Sequence, residues 1–217
     1  QLLLKLMSVC PLPDIQLEGL LTDLRAAVLS SISSFKPSQT MLNFQCSLAL
    51  QCFTNEYIYN LTELEEEDVK NLEGSVKNAL FEGKQPKPQE ILCLGSYKAL
   101  VEYEWIDQIS VCKDIESVYI RQVQEPRKER QLKGTISRLE KITDEVSAKV
   151  MKQYEKNPYP RWVNLAFPAN PSPISKVVDD LKLRLVNSHI ISVKSPEILV
   201  AGCGTGQHSI QTAKRFK

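Results

Sequence analysis

With only two histidines in 217 residues, the chain has little with which to hold a metal ion. The six cysteines (Cys10, Cys46, Cys52, Cys93, Cys112 and Cys203) form no pair at metal-ligand spacing, and only His189 and His208 are there to join them. A metal site is therefore not expected. Cysteines scattered through apolar segments read as reduced, buried thiols of a cytoplasmic protein, not as a secreted disulfide framework. An excess of either charge is lacking too. Against 27 basic residues stand 26 acidic ones, a net charge of +1, so no global field draws in nucleic acid or an anionic membrane. The acidic run at 65–68 and the mildly basic stretch at 121–133 read as solvated helix faces. No apolar run approaches the roughly 20 residues that span a bilayer. The opening Leu2, Leu3, Leu4, Leu6, Met7 and Val9 is too short and meets Pro11 and Pro13. It reads as the tail of a core helix, with a remnant signal sequence as the alternative. An initiating methionine is also missing: Gln1 comes first, and residues 211–217 read as mid-helix. The expectation is an excerpt of a longer protein.

What is there, as far as residue 156, is helical periodicity. Asp14 can cap a helix carrying Leu17, Leu20, Leu21, Leu24, Val28 and Ile32 on one face. Pro37 and Ser38 end it, and Leu42, Cys46, Ala49 and Phe53 form the next stripe. Thr62 with Glu65 makes a capping box ahead of Val69, Leu72, Val76 and Leu80, with Gly83 as terminator. Pro88 suits a first helical position before Ile91, Leu92, Leu94 and Leu100. Asp114 is placed to cap a short helix with Ile115, Val118, Tyr119 and Val123, ending near Pro126. Ile136, Leu139, Ile142, Val146, Val150 and Tyr154 form a long amphipathic stripe. No alternating β pattern competes and no repeat period recurs, so residues 1–156 predict an irregular all-α domain.

Character changes at Asn157. Pro158, Pro160, Pro168, Pro171 and Pro173 predict an extended crossing over 157–173, and 174–187 predicts a helix with Ile174, Val177, Val178, Leu181 and Leu185. After Pro196, the run Glu197-Ile198-Leu199-Val200-Ala201 predicts a strand buried on both faces of a parallel sheet. Directly behind it stands Gly202-Cys203-Gly204-Thr205-Gly206, then a helix from about Gln207. Strand, glycine loop and helix in succession are the first half of a nucleotide-binding α/β unit. One glycine permits a turn at positive φ, another lets a ligand approach the backbone, and the helix start offers free amides to an anion. The overall expectation is a mainly α chain: an irregular helical domain followed by the first β-strand, Gly-rich loop and helix of a truncated Rossmann-like α/β domain over 174–217.

Dinucleotide folds favour G-x-G-x-x-G, whereas here the spacing is G-x-G-x-G. The string Gly202-Cys203-Gly204-Thr205-Gly206 resembles the first motif of S-adenosylmethionine-dependent methyltransferases with a Rossmann-like sheet. Residues 153–162, Gln-Tyr-Glu-Lys-Asn-Pro-Tyr-Pro-Arg-Trp, followed by Ile198 to His208, resemble a bacterial group of these enzymes. In that group a helical, often tetratricopeptide-containing, N-terminal region precedes the catalytic domain. Residues 44–59 and 92–105 are similar to its helical part. The resemblance implies S-adenosylmethionine as cofactor, bound by Gly202, Cys203, Gly204, Thr205 and Gly206. One departure stands out: the motif carries an acid two positions before its first glycine, and here that position is Val200.

Other residues carry a sharper and a plainer reading. His208, on the first helical turn, is a candidate pocket residue or a surface histidine. His189 reads as structural, and Cys203 as a small residue that fits a tight loop, not as a nucleophile. Tyr159, Arg161 and Trp162 are a candidate lid over the pocket, or part of a structural crossing. Tyr57, Tyr59, Tyr103 and Trp105 read as core packing, with a recognition surface as the alternative. No catalytic base is assigned. The functional expectation is a methyltransferase fragment, inactive by itself, whose methyl acceptor is an unidentified small molecule or protein. Two alternatives stay open: a helical protein-interaction module with a degenerate methyltransferase-like domain, and a nicotinamide-dependent oxidoreductase.

Overall fold

The computed structural model describes residues 1–34, 36–135, 143–156, 161–165 and 170–216. The chain divides into two compact units, Gln1–Glu145 and Val146–Lys217. The division falls ahead of Asn157, where the composition changes. No helix among the described residues is long and apolar enough to cross a membrane.

Caps decide where the helices of the first unit begin. After α1 (Leu2–Met7), Asp14 starts α2 (Ile15–Ser31) by accepting the Leu17 amide at 2.9 Å. Ser38 starts α3 (Gln39–Thr54) by accepting the Met41 amide at 3.3 Å. The Thr62/Glu65 capping box opens α4 (Glu63–Phe81), as the sequence predicts. Gly83, with φ 73°, closes it. The Gly83 and Lys84 amides turn back onto the Leu80 and Ala79 carbonyls at 2.9 and 2.8 Å, the Schellman pattern. Pro88 is the first residue of α5 (Pro88–Gly95), where a missing amide removes no helical bond.

Two sequence expectations fail at the next helix. α6 (Glu116–Tyr119) runs through a π-helical turn, Ile120–Gln124, into α7 (Glu125–Lys133). Asp114 does not cap it; its carboxylate accepts Gln39 Nε2 at 3.0 Å instead. Nor does Pro126 end it. The Glu125 amide reaches back five residues to the Ile120 carbonyl. This wider turn opens the ladder where proline's ring and missing N–H would otherwise conflict with it. Gln122, in the same turn, is fully buried. Its Nε2 donates to the Ala49 and Gly95 carbonyls at 3.0 and 2.9 Å, and its Oε1 accepts the Leu100 amide at 3.1 Å. A Cβ on Gly95 would come within 3.2 Å of that oxygen, so glycine makes room for the glutamine.

α3 lies at the centre, packed against α1, α5 and α6, and every residue from 47 to 54 is buried. Ala49 and Leu50 join a large apolar cluster with Val28, Leu72, Ile91 and Val118, while Leu48 and Cys52 face a smaller one with Met7 and Leu21. A helix covered on several sides buries polar side chains as well, and their answers differ: the Gln45 amide finds no hydrogen-bond partner among the described residues. Gln51, with its amide nitrogen toward the carbonyls, donates to Met7 O and Cys10 O at 2.8 and 3.1 Å and so ties the end of α1 to α3. Tyr59, Tyr103 and Trp105 are buried, which is the packing role predicted for them. Burial pushes the Cys52 and Cys93 thiols up to about 12, so the expectation of buried thiols holds for these two, whereas Cys112 and Cys203 are exposed. The predicted α2 stripe is narrower than expected: Leu21, Val28 and Ile32 are buried, but Leu20 is 53% exposed.

The second unit is opened by α8 (Glu145–Lys156), on which Val146, Val150 and Tyr154 stay exposed; Ile136, Leu139 and Ile142, from the same predicted stripe, lie outside the described residues. α9 (Ile174–Asp180) buries Val177 and Val178. It is shorter than the predicted 174–187. Lys182 takes φ 51°, and the Lys182 and Leu183 amides turn back to Asp179 O and Val178 O at 3.2 and 3.0 Å, ending the helix as a glycine would. A 3₁₀ turn, Ser188–Ser192, carries His189, and α10 (Gln207–Arg215) follows the glycine loop. The predicted strand at 197–201 is not formed. Among the described residues the β pairing present is one isolated parallel bridge, Ser172 with Phe216. A strand needs a neighbour to take its backbone groups, and no described segment lies along 197–201 in that role.

The first unit turns on Arg25, which is only 2% exposed. Its Nη2 donates to Asn60 O at 2.5 Å and lies 3.4 Å from Glu65 Oε1. The guanidinium stands 4.3 Å from the Tyr97 ring centroid and 5.9 Å from that of Tyr59. Tyr97 donates its hydroxyl to Glu65 Oε1 at 2.8 Å. Burial alone would raise the Glu65 carboxyl. The bonds from the Thr62 amide, the Tyr97 hydroxyl and the Thr62 hydroxyl, with the Arg25 charge, hold it below the ordinary carboxylate value. Removing the carboxylate leaves a buried cation without its countercharge, so Glu65→Ala is expected to cost about 3 kcal/mol in urea denaturation. The folded carboxyl lies below its unfolded value of about 4.3, so its contribution is full above that value and is lost as pH falls through the folded one. Glu65→Gln should therefore flatten stability against pH below about 4.3; an unchanged acid limb would contradict this account.

Candidate functional site

The candidate site is the loop 202–206 in the second unit. Gly202, Gly204 and Gly206 adopt φ of 69°, 54° and 84°, so all three alternate glycines occupy the left-handed region. A Cβ at any of them would meet nothing within 4 Å. Glycine is required here by torsion, because an L side chain in this region meets its own backbone. The loop closes on itself where the Gly206 amide donates to Cys203 O at 2.9 Å, and the first bond into α10 is Ile210 N–H to Gly206 O at 3.0 Å.

Gly206 is the N-cap of α10 and brings no side chain to it. The amides of Gln207, His208 and Ser209 therefore precede the hydrogen-bonded ladder. The first turn holds no acid and the last holds Lys214 and Arg215, so no side chain of the helix itself offsets the positive end of its dipole. His208 is exposed on this first turn, as are Gly202, Cys203 and Gly204, while Thr205 is half-buried. Cys203 turns its thiol onto the loop itself, 3.9 Å from Gly204 O.

The segment before the loop is irregular, but its side chains alternate. Leu199 is 90% exposed. Ile198 and Val200 line a cleft of about 420 Å³ together with Ser209, Thr212, Ala213 and Phe216. The hydroxyls of Ser209 and Thr212 are features that the sequence reading misses. Their spacing of three along a helix is the signal that could have found them.

Of the candidate lid, Trp162 meets the loop: its indole Nε1 donates to Thr205 O at 3.3 Å. Arg161 is half-buried on the same segment, and Tyr159 lies outside the described residues. Two predicted groups, read separately in the sequence, are thus brought together across 43 positions. His189 lies in the 3₁₀ turn and is not among the residues of the loop or the cleft.

Comparison with known protein families, curated proteins and solved structures finds no match to this chain.

The three φ values carry their own test. Gly206→Ala adds no clash, only torsional strain of about 1–2 kcal/mol. It should raise amide hydrogen exchange at 207–210 several-fold, and Gly206→Asn, which tolerates the left-handed region better, should restore part of the protection. Unchanged exchange in both variants would show that the turn is not required.

Proposed function

We propose that residues 197–217 open the cofactor-binding domain of an S-adenosylmethionine-dependent methyltransferase of Rossmann-like fold, preceded by a helical region. The observation that carries this reading is the run of alternate left-handed glycines, delivered by an apolar segment and followed at once by a helix start with unengaged amides. The fit to the cofactor covers its amino-acid end. Open backbone at Gly202, Gly204 and Gly206 admits close approach, and the amides of Gln207, His208 and Ser209 are donors for a carboxylate. No described residue answers the adenosine, and the Val200 side chain offers no carboxylate to the ammonium group. When bound, the cofactor supplies an activated methyl group on a sulfonium centre. The chain's residues bind and orient it.

The strand at 197–201 belongs to this proposal. Alternation supports it, with Ile198 and Val200 lining the cleft shared with α10 and Leu199 outward, because a buried parallel strand presents apolar side chains to both faces. The absence of a formed strand favours a second reading, a helical interaction module whose methyltransferase-like part is degenerate.

Calorimetric titration with S-adenosylmethionine separates the two. Residues 1–217 alone should give no appreciable heat, since one segment and one helix do not enclose a nucleoside. The full-length protein should bind at about micromolar Kd, worth about 8 kcal/mol. A folded full-length protein that gives no heat would overturn the methyltransferase reading and leave the interaction module.

A further inference from the structure

We infer that Trp162 is a positioning residue for the glycine loop, locking the Thr205–Gly206 peptide that aims the start of α10. The inference relies on the reading above only for the identity of the ligand. A peptide unit has two polar ends pointing in opposite directions, and here both are engaged. The Gly206 amide donates to Cys203 O at 2.9 Å, and the Thr205 carbonyl on the other edge accepts Trp162 Nε1 at 3.3 Å. Rotation of this peptide would break both bonds at once.

That peptide is also the joint between loop and helix. The φ of Gly206, 84°, sets the direction in which α10 leaves, and the same residue's carbonyl takes the first helical bond, from Ile210 at 3.0 Å. A loop with glycine at three of five positions is by itself loose, because glycine has more conformations to lose than any other residue. No side chain caps α10. A half-buried indole contributed from 43 positions earlier adds a restraint from outside the loop. A loop ordered before the ligand arrives binds it more tightly, because the ordering cost is already met.

The decisive experiment replaces the indole N–H while keeping an aromatic ring. In Trp162→Phe, hydrogen exchange of peptides spanning 202–210 should rise about fivefold, the loss expected for one net hydrogen bond, while peptides from 88–95 in the first unit stay unchanged. Unchanged exchange at 202–210 would overturn the inference, whatever the protein binds. In the full-length protein the same variant should raise KM for S-adenosylmethionine about fivefold at constant kcat. Parallel loss of kcat, or an unaltered KM in an active enzyme, would also overturn it. Failure of the unmodified full-length protein to bind S-adenosylmethionine would count against the methyltransferase reading alone, because the exchange measurement decides the role of Trp162 without any ligand.

Discussion

A guanidinium cannot be taken out of water unless other groups replace the water, and Arg25 imposes that condition on the first unit. Glu65 gives a countercharge, Asn60 a carbonyl, and Tyr97 and Tyr59 their ring faces. These groups come from α4, the chain leading into it, and the segment after α5. None can move far without exposing the charge or leaving it unanswered. The same carboxylate accepts the Thr62 amide and hydroxyl, both at 3.0 Å, at the start of α4. Electrostatic neutralisation and helix initiation are thus served by one side chain, so the entry of α4 and its placement against α2 are set together.

Gln122 plays the neutral counterpart. Its amide bridges backbone carbonyls at Ala49 and Gly95 and takes the Leu100 amide, linking α3, α5 and the turn after it. It reaches them because the helix widens into a π turn just before Pro126. The proline that looks like a stop signal therefore accompanies the irregularity that lets the helix dock. Buried polar groups satisfied in this way select one arrangement of helices over the many that apolar packing alone would tolerate.

Local signals in the sequence are borne out where one or two turns of chain decide the outcome. Asp14, Thr62 with Glu65, Gly83 and Pro88 all act where expected, because caps and terminators bond to amides and carbonyls within a few residues of themselves. Expectations fail where a distant partner decides. Asp114 is claimed by Gln39, 75 positions away. One expectation fails for a local reason: Leu181 and Leu185 do not extend α9, which a left-handed Lys182 closes through bonds to the turn before it. Arg25 was legible and went unread: it sits between Leu21 and Val28 on the buried face of α2, and a charge at that register signals a buried partner.

The second unit shows the same division between local and distant causes within a single motif. The left-handed turns at Gly202, Gly204 and Gly206 need only the absence of a side chain, and α10 needs only its own ladder, so both form in this chain. A strand at 197–201 needs neighbours on both edges and cover on both faces. Its residues nevertheless hold an alternation that such neighbours would use, with Ile198 and Val200 lining the cleft that α10 also lines and Leu199 turned outward. Between these two regimes stands Trp162, a distant residue acting on a local turn. A glycine loop has the freedom to adopt left-handed torsions but few side chains of its own to choose among them. The indole bond to Thr205 brings a restraint from elsewhere in the fold to that choice.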